Sequence, residues 1–288
     1  MSNENLDDRW LWFIDDGPLQ ALLKAEAAMP SMKMRAASSP ALVRAVSLHM
    51  EGRTAQAITE LTAAIDGGDR HPDVYLMLGQ FHAEAQQWEA ATDVYRRLAE
   101  LDPKHPLGAF NLGVCQLRQA DWTGAETNFR QAAALQPSRT EAHLGLAIAS
   151  LQLQKGAPAL EGFDRVLAKD PKSEPARFGR AAALQLLKRF PEALAEYDKL
   201  PADPARQVAV LNNQVAAAAA TRDAAALQRY ASQLLSADPK SAVASEALGA
   251  AALLNGDYRA ATRHLEAAAS GGAESIELWT NLAAAAAR

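Results

Sequence analysis

The side chains that most often do chemistry are sparse in this sequence and stand apart from one another. Six histidines are scattered along the 288 residues, and no two have the helical spacing of three or four residues that would let them share a metal ion. No phosphate-binding loop, serine-hydrolase motif or zinc-protease motif occurs. The many Asp and Glu residues fit solvated helix faces better than an isolated acid–base pair. We therefore expect a protein that is not an enzyme, with no catalytic residue, metal site or cofactor.

The single cysteine, Cys115, excludes an intramolecular disulfide and a multi-cysteine metal site. It lies inside a predicted helix with no charged motif around it, so we expect a buried, small apolar side chain rather than a reactive thiol. The first residues are polar and acidic, where a secretory signal would be basic and then apolar. Together these features predict a cytoplasmic protein.

Composition narrows the class of partner. The chain has 29 basic and 34 acidic residues, a net charge of −5, which argues against binding a nucleic-acid backbone. No uninterrupted apolar stretch reaches the roughly 18 residues that a membrane-spanning helix needs. The aromatic share of 6% and the abundance of alanine are not typical of a β-sandwich or barrel. A protein or peptide segment is therefore the expected partner.

A period of 34 residues runs through the chain and must position any functional side chain. A polar residue followed by proline recurs in phase: Asp102-Pro103, Gln136-Pro137 and Asp170-Pro171. A leucine followed by a small residue recurs in the same way: Leu78-Gly79, Leu112-Gly113, Leu146-Ala147 and Leu248-Gly249. A bulky ring follows later in the unit: Tyr95, Phe129, Phe163 and Tyr197. Each unit is therefore predicted to form two helices, a first helix with the leucine pair and a second helix that the proline ends.

These features together resemble the tetratricopeptide repeat over residues 38–288. The resemblance implies an all-α fold, a right-handed superhelix (α-solenoid) of helix–turn–helix repeats. The boundaries that follow are an N-terminal cap or extension at 1–37, seven units at 38–71, 72–105, 106–139, 140–173, 174–207, 208–241 and 242–275, and a C-terminal capping helix at 276–288. Two units depart from the pattern, with Arg180 in place of leucine in one and Gln214-Val215 in place of Leu-Gly in the other.

The resemblance also implies that first helices line the inside of the superhelix, where this family usually binds its ligands. One first helix carries an apolar stripe beyond the face that packs on its second helix, at Leu107, Phe110, Val114 and Leu117. The next two units continue the stripe with Leu144, Ile148, Leu151 and Phe178. We expect these side chains to line an open groove as apolar anchors, with Asn111 and Arg118 fixing the register of the partner. The alternative is that superhelical curvature buries the stripe against neighbouring first helices.

The amino-terminal segment has its own prediction. Trp10, Trp12 and Phe13 belong to the most aromatic stretch of the chain. They are expected to cap the first repeat, and the alternative is that they insert into a partner or a second copy. Light scattering and thermal unfolding of the intact chain and of a chain without residues 1–17 separate these interpretations, because a lost cap lowers stability whereas a lost assembly segment abolishes a dimer.

The function that follows is a non-catalytic scaffold or adaptor that binds a peptide or helix in an apolar concave groove. One alternative is a self-assembling organising protein that uses the N-terminal aromatic segment. The other is the repeat domain of a larger enzyme or of an assembly or secretion factor.

Overall fold

The computed structural model describes residues 39–288, and the regular structure in this range consists of fifteen α-helices and no strand. The helices are α1 (Pro40–Met50), α2 (Thr54–Asp66), α3 (Pro72–Glu84), α4 (Trp88–Leu101), α5 (Gly108–Arg118), α6 (Trp122–Leu135), α7 (Thr140–Gln152), α8 (Gly156–Lys169), α9 (Glu174–Leu186), α10 (Phe190–Tyr197), α11 (Pro204–Thr221), α12 (Ala224–Ala237), α13 (Ala242–Leu254), α14 (Tyr258–Ser270) and α15 (Ile276–Ala286). The all-α class and the succession of helical repeats are confirmed.

The described chain divides into two compact units, residues 39–176 and residues 177–288, and the division falls within α9. In the first unit, α1 to α8 form hairpins in which each helix packs on the next along the chain. In the second unit, α10 to α15 pack in the same sequential way. The aromatic segment of Trp10, Trp12 and Phe13 lies outside the described residues, so its predicted role as a cap or an assembly segment stays a prediction.

One backbone conformation recurs at the turn inside every hairpin. A residue with positive φ follows the first helix at intervals of 34 residues: Gly52, Gln86, Ala120, Gln154, Lys188, Arg222 and Gly256. In most of these turns the next N–H donates to a carbonyl five residues back, as from Asp121 to Gln116 at 2.9 Å. This is the Schellman arrangement that ends a helix on a left-handed residue. The 34-residue period is therefore set by the backbone as well as by the side chains.

In the α3–α4 and α5–α6 hairpins, a ring on the second helix packs directly against a glycine of the first helix. A Cβ built on Gly79 would lie 2.5 Å from the Tyr95 ring, so only glycine leaves room for it. The Phe129 ring lies between two glycines, 3.1 Å from a Cβ built on Gly113 in its own hairpin and 2.5 Å from one built on Gly145 in the next. The glycine and the ring of the sequence pattern are thus two halves of one contact, which also joins successive hairpins.

The two atypical units carry a polar side chain at the leucine position of the pattern. Arg180 lies 3.1 Å from the carboxylate of Glu196, which is buried and also meets Arg177 at 3.2 Å and Lys199 at 2.6 Å. Three cations around one carboxylate offset the cost of removing it from water. A polar side chain at the leucine position therefore has a specific partner on the second helix.

The following unit uses a second polar cluster. Gln214 donates to Asp198 at 2.7 Å, and the Tyr230 hydroxyl donates to the same carboxylate at 3.0 Å. Burial, and then the carboxylate of Asp198, raise the pKa of Tyr230, so its hydroxyl remains a donor. This cluster joins α11 and α12 to the turn that follows α10. That turn runs from the end of α10 at Tyr197 to the start of α11 at Pro204. Asp203 caps α11 by accepting a hydrogen bond from the Ala205 N–H at 3.0 Å.

The left-handed turns generate a paired stability prediction. A left-handed backbone costs a residue with a Cβ about 1–2 kcal/mol, whereas glycine accepts it readily. Gly256→Ala should therefore lower the free energy of unfolding by about 1 kcal/mol through backbone strain. No steric clash adds to this cost, because no atom lies within 4 Å of the added methyl group. Ala120→Gly, at the equivalent turn, should raise it. Urea unfolding curves measure both, and a shift of both variants in one direction would contradict the account.

Candidate partner-binding surface

The apolar stripe that the sequence analysis assigns to an open groove is buried. Phe110 is 0% exposed. The other large side chains of the stripe are also buried: Val114, Leu117, Leu144, Ile148, Leu151 and Phe178. Leu107 is half-buried and packs against the core of the first unit. The predicted exposure of this stripe is therefore wrong.

The surroundings of Phe110 explain its burial. Its ring meets Phe129 of α6 edge to face, with 5.6 Å between the ring centroids. The guanidinium of Arg139 lies over the ring, 3.8 Å from its centroid. Phe110 thus belongs to the same ring contact that joins successive hairpins, and it stabilises the fold rather than offering a surface.

The two polar residues that were expected to fix the register of a partner also make contacts within the fold. Asn111 is 1% exposed, and its Nδ2 donates to the Tyr95 hydroxyl at 3.2 Å. Arg118 is half-buried, with its guanidinium 5.3 Å from the centroid of the Trp88 ring. Both side chains therefore connect α5 to α4, the second helix of the preceding hairpin.

The corresponding positions on two first helices of the second unit, α11 and α13, are more accessible. Adding three periods, 102 residues, to the stripe of α5 gives positions in α11, and adding four periods gives positions in α13. We call this surface the α11–α13 face, and its residues are Ala209, Asn212, Ala216, Ala219, Val243, Glu246, Ala250 and Leu253. Ala219 and Val243 are exposed and the others are half-buried. Since α11 and α13 also contact each other directly, the face continues from one first helix to the next.

Few polar groups accompany this apolar face. The Glu246 carboxylate accepts a hydrogen bond from the Ser275 hydroxyl at 2.6 Å, which fixes its position. Asn213, beside the face, is 1% exposed and donates from Nδ2 to the Ala209 carbonyl at 3.0 Å. Its Oδ1 is buried, and within the described part of the chain it accepts no hydrogen bond. The face therefore offers a fixed carboxylate, and Asn213 has an acceptor with unused capacity.

Sequence reasoning missed this face because it followed side-chain size. The residues of α5 and α7 are large, apolar and close to the family pattern, whereas α11 shows a run of alanines that suggests weak packing. The period itself was the available signal, since it relates Val114 to Ala216 and Ala250. Small side chains at those places leave the surface open.

Residues that could do chemistry are not gathered in the part of the chain that the structure describes. Among residues 39–288, no group of three or more His, Cys, Asp or Glu is placed to hold a metal ion. Cys115 is buried and is a free cysteine. None of the fifteen described helices has both the length and the apolar character needed to cross a membrane.

Fold and surface together define a helical-repeat protein of the α-solenoid class. Two sequence models described as tetratricopeptide repeat match residues 48–112 and 110–174. Residues 48–174 thus carry tetratricopeptide repeats, as the sequence pattern predicts. No curated protein matches the chain.

Solved structures share the fold at low sequence identity. A tetratricopeptide repeat protein from Parabacteroides merdae is 16% identical with a TM-score of 0.57, over 85% of this chain and 97% of that one. The Pseudomonas aeruginosa protein pilF is 19% identical with a TM-score of 0.53, over 79% of this chain and 97% of that one. A chain of the APC/C hetero-tetramer Cut9–Hcn1 is 14% identical with a TM-score of 0.54, and the match covers 97% of this chain and 55% of that one. At these identities the likeness shows the fold alone.

The difference between the two units generates a stability prediction. Leu117 and Ala219 stand three periods apart, but Leu117 is buried and Ala219 is exposed. Leu117→Glu should unfold the first unit or lower its stability by more than about 3 kcal/mol, because it buries an unpaired charge. Ala219→Glu should change the stability by about 0.5 kcal/mol or less. Circular dichroism during urea unfolding gives both values, and equal losses in the two variants would contradict the assignment.

Proposed function

We propose that this chain is a non-catalytic scaffold that binds an extended or helical protein segment on the α11–α13 face. Tetratricopeptide repeats mediate protein–protein interactions, and the chain carries such repeats. The observation that carries the proposal is that this face is half-buried or exposed at three consecutive register positions in each helix whose equivalents in α5 and α7 are buried. The ligand surface implied by the resemblance to the family thus moves from the first unit to the second.

The chemistry of the face indicates the kind of segment that fits it. Alanines at 216, 219 and 250 leave the backbone of the two helices close to the surface, so a partner helix or strand can approach closely. Val243, which is 51% exposed, offers an apolar contact at one end of α13. The Glu246 carboxylate favours a Lys or Arg of the partner, and the buried Oδ1 of Asn213 can accept from an N–H after a small local adjustment.

Other parts of the earlier interpretation stay predictions. Self-assembly through Trp10, Trp12 and Phe13 concerns residues outside the described range. The absence of nucleic-acid binding and the cytoplasmic location rest on the charge and the cysteine content, and the described residues add no test of either. The repeat domain of a larger enzyme or of an assembly or secretion factor stays the second functional alternative.

Photo-crosslinking locates the partner contact directly. A photoreactive phenylalanine analogue is placed at Ala216, at Ala250, or at the exposed Gln228 on the second helix α12. We expect Ala216 and Ala250 to crosslink to the same protein and Gln228 to give little product, because α12 contributes no residue to the face. Mass spectrometry of the crosslinked peptide then identifies the bound segment.

Charge substitutions provide the matched control. Ala216→Glu and Ala250→Glu should keep the helical content and weaken capture of the crosslinked partner at least 10-fold, whereas Gln228→Glu should leave capture unchanged. Crosslinking at Gln228 equal to that at Ala216, or full capture by the Ala216→Glu variant, would contradict the proposal.

A further inference from the structure

Two first helices of the first unit are buried on every side. Residues 74–81 of α3 and residues 108–115 of α5 are each an unbroken run of buried residues. An α-helix completes a turn in about 3.6 residues, so each run covers all directions around its helix axis. The side of α5 that carries the apolar stripe is therefore covered along with the sides that pack on second helices.

The described neighbours of α5 leave part of its circumference without cover. This helix packs on α4, α6 and α7. Helices about 10 Å wide, with axes roughly 8–10 Å apart, each occlude about 60° of a neighbour's circumference. Three such neighbours occlude about half of it, and α3 as a fourth would still leave about a third. A further group must therefore lie against the stripe.

The same register in α11 shows what the hairpins alone leave open. Like α5, α11 packs on the preceding second helix, on its own second helix and on the next first helix. Ala216 and Ala219 stand three periods after Val114 and Leu117, and they are half-buried and exposed although alanine is the smaller side chain. The periodic neighbours therefore do not account for the 0% and 2% exposure of Val114 and Leu117. In a single chain the additional cover must come from that chain.

Residues 1–38 are the remaining part of the chain, and their composition suits this cover. Residues 10–14 form the most aromatic stretch of the sequence. Leu19, Leu22 and Leu23 follow with the spacing of one helix face. An apolar segment of this kind matches an apolar stripe that needs a cover.

Charges on the two surfaces are complementary as well. Pairs of aspartates at 7–8 and 15–16 flank the aromatic stretch. On the stripe, the guanidinium of Arg139 lies 3.8 Å from the centroid of the Phe110 ring, and Arg118 ends α5. Acidic groups on both sides of the apolar stretch thus suit the basic groups beside the stripe.

We propose that residues 10–27 lie across α3, α5 and α7 and cover the apolar stripe of the first unit as an internal ligand. In helical form this segment would be about 27 Å long, which exceeds the roughly 16–20 Å between the first and third axes of three adjacent helices. Residues 28–38 link it to α1, which contacts α3, and their extended length of about 35 Å lets the segment turn back onto that helix. The inference goes beyond the proposed function, because a partner reaches the α11–α13 face directly but reaches the stripe only by displacing this segment.

Photo-crosslinking within the full chain identifies the occupant. A photoreactive phenylalanine analogue replaces Leu22, and isotopically heavy and light chains are mixed in equal amounts before irradiation. We expect crosslinks to peptides of α5 or α7 that join heavy to heavy and light to light, because the segment and the stripe belong to one chain. The analogue at Gln20, outside the spacing of the three leucines, should give little of this product.

Thiol labelling measures displacement of the segment. In the full chain with Ile148→Cys on the stripe, the added changes Leu22→Glu and Leu23→Glu should raise the rate of reaction with Ellman's reagent roughly 10-fold or more, since the stripe is then uncovered more often. Gln20→Glu should leave this rate unchanged. Peptide mapping separates the thiol at 148 from the buried native Cys115, which should stay slow in every variant. Circular dichroism checks that the repeats keep their helices.

Different results would overturn the proposal. Crosslinks confined to α1 and α2 would make the segment an end cap, and crosslinks between heavy and light chains would make a second copy the occupant. An unchanged thiol rate at 148 in the Leu22→Glu, Leu23→Glu variant would show that the repeats themselves cover the stripe. If that variant loses helical content, the crosslinks decide alone, because the crosslinked chain is changed only at Leu22, and their absence from α5 and α7 overturns the proposal.

Discussion

The insertion of one ring between successive first helices is the contact on which the first unit depends. Phe129 lies between Gly113 of its own hairpin and Gly145 of the next, and its ring meets the Phe110 ring edge to face. Tyr95 repeats the arrangement with Gly79 on one side and Asn111 on the other. One side chain thus holds a hairpin together and attaches the following hairpin, which is why such repeats stabilise one another rather than fold alone.

The same contact decides which surface is left for a partner. In the first unit Phe110, Val114 and Leu117 are buried in the core, so these large apolar side chains cannot contact a partner. In the second unit Arg180 and Gln214 stand at leucine positions. Arg180 pairs with Glu196 of α10, and Gln214 donates a hydrogen bond to Asp198, just after α10. Alanines then occupy the positions related to Val114, and the α11–α13 face stays open. Of the two units that depart from the family pattern, only 208–241 contributes to this face, since Phe178 of unit 174–207 is buried. The rest of the face belongs to α13, whose unit keeps Leu248-Gly249.

Much of the fold could be predicted because the residues that repeat every 34 positions, such as proline and glycine, have strong local conformational preferences. Asp102-Pro103 and its equivalents end helices, and the glycine of Leu78-Gly79 leaves the space that the Tyr95 ring occupies. The burial of Phe110 could not be predicted, because an apolar stripe shows which side of a helix it occupies but not what stands opposite. The same holds for Arg180 and Gln214, whose partners Glu196 and Asp198 lie 16 residues away in each case. A partner 16 residues away lies beyond a turn, on or next to another helix. Such a pair can be recognised only when the packing of the two helices is known.

Thiol labelling tests the contrast between the two units most directly. Val114→Cys and Ala216→Cys place the same side chain three periods apart, and the buried native Cys115 serves as an internal reference for a protected thiol. With Ellman's reagent in native buffer, the thiol at 216 should react at least 100-fold faster than the thiols at 114 and 115, which should react only as the first unit opens. Equal rates at 114 and 216, or faster labelling at 114, would contradict the claim that the accessible surface lies on the α11–α13 face.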